Sequence, residues 1–139
     1  QTAHANSLLR TLGIGHFFTR ILGADAVSAG KPDPDGIYEA AAILGVSPFE
    51  LLVVGDAVSD VHAARAAGSP VICVNYGYNY GTAIQKACPD TTLDTLASLP
   101  NIIARPNCFD VPGQGVTTPP VLAGSLRGRA MRPKGGAQF

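Results

Sequence analysis

Tryptophan is absent, methionine occurs once, and charged residues make up only 14% of the 139 positions. With hydrophobic residues at 46%, so low a charge excludes a wholly disordered chain and leaves a soluble core of one domain's size. The three cysteines, Cys73, Cys88 and Cys108, are odd in number, and no two stand at metal-binding spacing. That excludes a disulfide framework and points to a reducing, cytoplasmic setting. Cys73 lies within an apolar run and reads as a small core residue. No apolar run approaches the roughly 20 residues of a membrane-crossing helix, and no signal-peptide pattern opens the chain. Nor does a methionine: Gln1 leads straight into a helical pattern, so the native N-terminus is expected further upstream. An excess of positive charge is also missing, because the formal net charge is zero. Residues 1–104 hold five Lys/Arg against nine Asp/Glu, and residues 105–139 hold five against one. Such an acidic body gives no footing to nucleic acid. Short basic tails of this kind are ordinarily just solvated.

What is present is an alternation of helical and apolar strand-like segments over residues 1–104. Ala5, Leu8, Leu9 and Leu12 recur at helical spacing, and Gly13 ends the run. Phe17 to Leu22 is short and β-prone, and "GADAVSAGKPDPD" after it is loop-like. A second helix is expected near Asp33, with Asp33 as its cap, Pro34 in the first position and Asp35 at its positive end. Ile37, Ala40, Ala41 and Leu44 make its inward stripe, and Gly45 stops it. "LLVVG" at 51–55 has the unbroken apolar character of a parallel strand buried on both faces. An Ala-rich helix at 60–68, a strand at 70–76, a helix at 82–87, and a short strand with a last helix within 90–99 complete the order. Such an order predicts an α/β fold: the C-terminal part of a Rossmann-like, three-layer parallel sheet with helices on both faces. Residues 105–139 are rich in Pro and Gly, have no period, and are expected to be a disordered extension.

Ligand sites in parallel sheets lie at the carboxyl ends of the strands, and "LLVVGDAVSD" puts its polar groups there. Gly55 permits a tight turn, Asp56 stands at the strand end, and Asp60 falls in the first turn of the next helix. Two carboxylates so placed suit magnesium, a hard cation that prefers oxygen. The same pair could equally do no more than cap the helix. "GKPDPD" at 30–35 sets Lys31 in a loop stiffened by Pro32 and Pro34, where a fixed ammonium could neutralise a phosphate. Taken alone, Lys31 reads more simply as a surface lysine in a turn. His4, His16 and His62 are isolated and read as surface or packing residues, "GQGVTTPP" follows no strand and is no phosphate loop, and Ser47 to Glu50 reads as a capped turn.

In sequence, the Lys-Pro loop, the helix, the apolar strand and Gly-Asp-x-x-x-Asp resemble the third and fourth motifs of the haloacid dehalogenase superfamily. The stretch "GKPDPDGIYEAAAILGVSPFELLVVGDAVSDVHAARAAGSPVICVNYGYNYG" carries the resemblance almost without a gap, and it extends over residues 1–100. "GYNYG" at 77–81 and "PD" at 89–90 are similar to the phosphoglycolate phosphatase branch of that superfamily. The resemblance implies a Mg2+-dependent phosphatase of a small phosphorylated metabolite, 2-phosphoglycolate first, with a pyrophosphatase or a sugar-phosphate mutase as alternatives. By the same resemblance, Lys31 steadies the nucleophile and the phosphate, Asp56 is the metal ligand, and Asp60 with Gly55 supports that site. Apart from the resemblance, Tyr76, Tyr78 and Tyr80 with Asn75 and Asn79 could line a substrate entrance, Tyr78 and Asn79 foremost, or could equally form a packed loop. The superfamily's nucleophile belongs to an Asp-x-Asp-Gly-Thr segment, which this sequence does not contain. Its Ser/Thr phosphate-binding strand and helical cap have no counterpart here either. A fragment inactive by itself, an inactive binding module or a truncated gene product is therefore a further expectation.

Overall fold

A computed structural model describes residues 1–79 and 81–104 in full, and residues 121–122 as backbone. Its helices are α1 (Thr2–Thr11), α2 (Asp35–Leu44), α3 (Val58–Ala67) and α4 (Leu99–Ile103). Its strands are β1 (Leu51–Gly55), β2 (Val71–Val74), β3 (Thr91–Leu93) and β4 (Val121–Leu122). The strands form one sheet in the order β3-β2-β1-β4, and every pairing is parallel.

Alternation along the strands splits the core between two faces. On one face Val71 and Cys73, with Val53 partly buried, pack against Val61 and Ala64 of α3 and against Ile84. On the other, Leu52, Ile72, Val74 and Leu93 pack against Leu99, Ile102 and Ile103 of α4. That two-sided cover is what makes β2 apolar at every position and buried throughout. For β1 the expectation of burial on both faces is only half met, because Val54 is 39% exposed. Val54 lies on the α4 face, and α4 has only five residues. At 1.5 Å of rise per residue a helix that short cannot reach along the whole strand.

The helices expected to stop at Gly13, Gly45 and Gly68 do so, α1 with Leu12 as its cap just ahead of Gly13. Gly45 and Gly68 take φ of 67° and 74°, the left-handed region that a side chain disfavours. At the other end of α2 the chain departs from expectation. The helix starts at Asp35 with Pro34 as its cap residue, and Asp33 Oδ1 accepts from the Asp35 N–H at 3.0 Å. The Asp33 side chain thus closes a turn two residues long ahead of the helix. The β-prone run Phe17 to Leu22 forms no strand. Gly15–Phe17 is a 3₁₀ turn, and Phe17 and Phe18 are exposed. β-branched and aromatic content makes a strand only where a sheet edge offers pairing, and the sheet's outer strands lie elsewhere. The expected helix at 82–87 shortens to a 3₁₀ turn, Ile84–Ala87. The expected disordered tail lies outside the described residues apart from Val121–Leu122, whose backbone pairs with Leu51–Leu52 of β1.

"PD" at 89–90 proves to be a structural knot. Asp90 accepts two hydrogen bonds from Arg65, at 2.8 and 3.2 Å, and one from the Val71 N–H at 2.7 Å. It thereby ties α3 to the start of β2. Cys73, fully buried on the α3 face, has its thiol pushed up to about 11 by burial, reinforced by the carboxylates of Asp60 and Asp56. A thiol held protonated is a poor nucleophile. Iodoacetamide at pH 8 should therefore leave Cys73 unmodified in the folded protein and label exposed Cys88, as read by peptide mapping. Equal labelling of both would contradict this packing.

Candidate active site

β1 ends at Gly55, Asp56 follows it directly, and α3 begins two residues later at Val58. This tight strand-to-helix turn depends on Asp60. Its Oδ2 accepts from the N–H of Asp56 and from that of Ala57, each at 3.0 Å. A third-position carboxylate turned back to the helix entry in this way satisfies donors the helix leaves unpaired. Room for it comes from Gly55, where a Cβ would sit 2.6 Å from both Cγ and Oδ2 of Asp60.

The other oxygen of Asp60 faces Lys31. Nζ to Oδ1 is 2.6 Å, with the Asp60 side chain only 8% exposed and that of Lys31 60% exposed. Burial alone would push the Asp60 carboxyl up. The Lys31 hydrogen bond and the two backbone N–H groups outweigh it and hold the carboxyl below its ordinary value of 3.8. Lys31 comes from the loop before α2, where the Lys31–Pro32 peptide is cis. It borders a cavity of about 280 Å³ with Asp33, Val53, Asp60 and Ala63. The structure thus brings Lys31 and Asp60, 29 residues apart, into direct contact at the end of the strand that carries Asp56.

Asp56 itself is exposed. Its Oδ2 accepts from the Tyr78 N–H at 3.2 Å. Among the described residues no donor reaches its Oδ1, so this carboxylate fits a hard cation as one oxygen ligand. Asp60 already accepts three hydrogen bonds, one on Oδ1 and two on Oδ2. No group of three His, Cys, Asp or Glu side chains able to hold a metal occurs among the described residues.

The remaining candidates lie as follows. Tyr78 sits in the loop after β2 and is 73% exposed. Asn79, next to it, has a buried Oδ1 with no hydrogen-bond partner among the described residues. Tyr80 lies outside the described residues. His62 is exposed on α3, and His16 packs its ring against Phe17 at 4.0 Å. Asp33-Pro34-Asp35-Gly36 has an Asp-x-Asp-Gly spacing but opens a helix rather than ending a strand. Asp35 Oδ2 is engaged by the N–H groups of Ser28 and Ala29, at 2.8 and 3.2 Å. Sequence reasoning overlooked Gly77 as a site residue. A Cβ there would collide with the backbone O and Cβ of Asp56. Its one signal was a glycine just past the strand beside the acidic motif.

Because the folded-state pKa of Asp60 is lowered, the unfolded chain binds more protons there as pH falls. Its contribution to stability is then complete above about 3.8 and disappears as pH drops through the lower folded value. Asp60→Asn should cost about 2 kcal/mol at pH 7, the scale of a hydrogen bond to a charged group. In denaturant titrations the gap between the two proteins should narrow as pH falls below the ordinary carboxylate range. A gap independent of pH would contradict the ion pair.

A family model described as haloacid dehalogenase-like hydrolase matches residues 1–74. Phosphoglycolate phosphatases of Nitrosococcus oceani and Pectobacterium atrosepticum are 38% and 45% identical over 98 residues, 70% of this chain. The chain spans 44% and 42% of the length of those two relatives. The crystal structure of a predicted phosphoglycolate phosphatase from Haemophilus somnus superposes with a TM-score of 0.71 at 35% identity. That match covers 73% of this chain and 45% of the other. A parallel sheet with its acidic strand end and lysine loop, and a family match over more than half of the residues, agree: the chain belongs to the haloacid dehalogenase-like hydrolases.

Proposed function

We propose that this chain supplies the cation-binding and phosphate-facing part of a magnesium-dependent phosphatase acting on a small phosphorylated acid, 2-phosphoglycolate first among them. The observation that carries this reading is the double use of Asp60. One carboxylate fixes the Asp56 turn through two backbone N–H groups and holds the Lys31 ammonium at 2.6 Å. A ligand for a cation and a positive charge for a phosphate are thereby set at one strand end. Phosphoryl transfer asks for that combination, since its catalysis is mostly positioning and charge stabilisation. The phosphoglycolate phosphatases matched at 38% and 45% identity support the choice of substrate.

In this reading Asp56 is a ligand to Mg2+, which when bound offsets charge on phosphoryl oxygens. Lys31, largely in solvent, turns its ammonium to phosphate and to the attacking carboxylate. Asp60 touches neither and orients both Asp56 and Lys31. Tyr78 and Asn79 border the substrate entrance. The attacking carboxylate is an aspartate of an Asp-x-Asp-Gly-Thr segment outside residues 1–139, and residues 1–139 alone do not turn over substrate. The setting is the cytoplasm, and the partner is a small phosphorylated metabolite rather than nucleic acid or membrane. Among the described residues no helix is long and apolar enough to cross a membrane.

The test begins with the coding sequence upstream of Gln1 and an assay of phosphate release from 2-phosphoglycolate by the full-length product. Asp56→Asn and Lys31→Met should each lower kcat/KM by roughly a hundredfold or more, the scale of losing one electrostatic stabiliser. An Asp56→Asn protein with the rate and magnesium dependence of the parent would sink the reading. An inactive parent lacking any upstream Asp-x-Asp-Gly-Thr would make the chain a binding module instead.

A further inference from the structure

We propose that Gly77 and the backbone N–H of Tyr78 are the positioning elements of the Asp56 carboxylate; the proposal rests on Asp56 being a cation ligand. An exposed aspartate has two side-chain torsions to settle before it can ligate, and solvent does not choose among its rotamers. Here the Tyr78 N–H holds Oδ2 at 3.2 Å, and among the described residues no donor reaches Oδ1. The loop reaches Asp56 because residue 77 lacks a side chain, and its backbone lies directly against the carbonyl O and Cβ of Asp56.

The loop is also anchored without reference to Asp56. The Asn75 N–H donates to Leu93 O at 2.9 Å, and Asn75 Nδ2 donates to Asp94 at 2.6 Å. Gln85 Nε2 donates to Asn75 Oδ1 at 2.7 Å. Past the tyrosine, the Thr82 N–H donates to Asn79 O at 2.8 Å. A donor fixed on both flanks restrains the carboxylate, rather than following it. Groups that orient a metal ligand in this way typically change metal affinity by 10- to 100-fold when lost. What the sequence shows as an aromatic "GYNYG" loop thus acts on Asp56 through its glycine and one amide. Gly77 has no left-handed φ, so Gly77→Ala meets no torsional penalty at 77, and its Cβ acts by forcing the loop and the Asp56 backbone apart.

The measurement is Mn2+ affinity of the full-length protein, from the paramagnetic resonance signal of free Mn2+, with unfolding midpoints taken in metal-free buffer. Tyr78→Pro removes the N–H, and Tyr78→Ala keeps it. Tyr78→Pro and Gly77→Ala should each weaken Mn2+ binding about tenfold, measured at a temperature where every variant is folded, while Tyr78→Ala binds Mn2+ like the parent; the Cβ added at 77, set against the Asp56 backbone, should also lower the unfolding midpoint of Gly77→Ala. If the proline variant unfolds, Gly77→Ala decides. Unchanged affinity in Asp56→Asn, or no Mn2+ binding by the parent, overturns the underlying ligand assignment. Weakened binding in Asp56→Asn, with parental binding in Tyr78→Pro and Gly77→Ala, overturns the positioning role alone. Equal losses in Tyr78→Ala and Tyr78→Pro overturn the backbone's part.

Discussion

The Asp60 carboxylate is the constraint on which the site hangs. It is buried, it accepts from two backbone N–H groups, and it holds an ammonium. Removing a carboxylate from water is costly unless every lone pair it turns inward finds a donor. Three donors meet that demand here, and they come from the end of β1, the entry of α3 and the loop before α2. The desolvation of one side chain therefore obliges two separate stretches of chain, the turn between β1 and α3 and the loop before α2, to converge. A Lys31 side chain that is 60% exposed eases the balance, because it leaves water less completely than the carboxylate does.

Convergence at that place follows from parallel-sheet geometry. Each strand runs the same way, so the turns after β1 and β2 open at the same end. Asp56 follows one of them, and Gly77 with Tyr78 lies in the other. Because β1 and β2 are adjacent and in register from Val53↔Val71 to Gly55↔Cys73, the two loops cannot avoid each other. Glycines stand at both close approaches. Gly55 gives way to the Asp60 carboxylate, and Gly77 gives way to the Asp56 backbone. Neither has a left-handed φ, so the reason for glycine at both is space rather than torsion.

Much of the scaffold was legible from local rules. Gly45 and Gly68 ended their helices because no side chain favours left-handed torsions. The apolar runs at 51–55 and 71–74 became strands because both faces of a parallel sheet demand such residues. The misreadings have a common cause. Phe17 to Leu22 has strand composition, but pairing is a property of the sheet and not of the segment. Asp33 has the chemistry of a helix cap, but the Asp33 Oδ1 bond to the Asp35 N–H spent it on a turn. Val54 belongs to an apolar strand, but the length of α4 decides how far its face is covered.

The sequence by itself determined that Lys31, Asp56 and Asp60 would stand in a loop, at a strand end and in a first helical turn, because caps, turns and periodicity are written within a few residues. It also determined the family, since those motifs and their order survive in one dimension. Only the tertiary structure decided that the Lys31 ammonium meets the Asp60 carboxylate. The same holds for the backbone of the 77–79 loop meeting Asp56. Each is a contact between segments about 20 to 30 residues apart, and such contacts are set by how strands align and how closely backbones approach, quantities that no local pattern encodes.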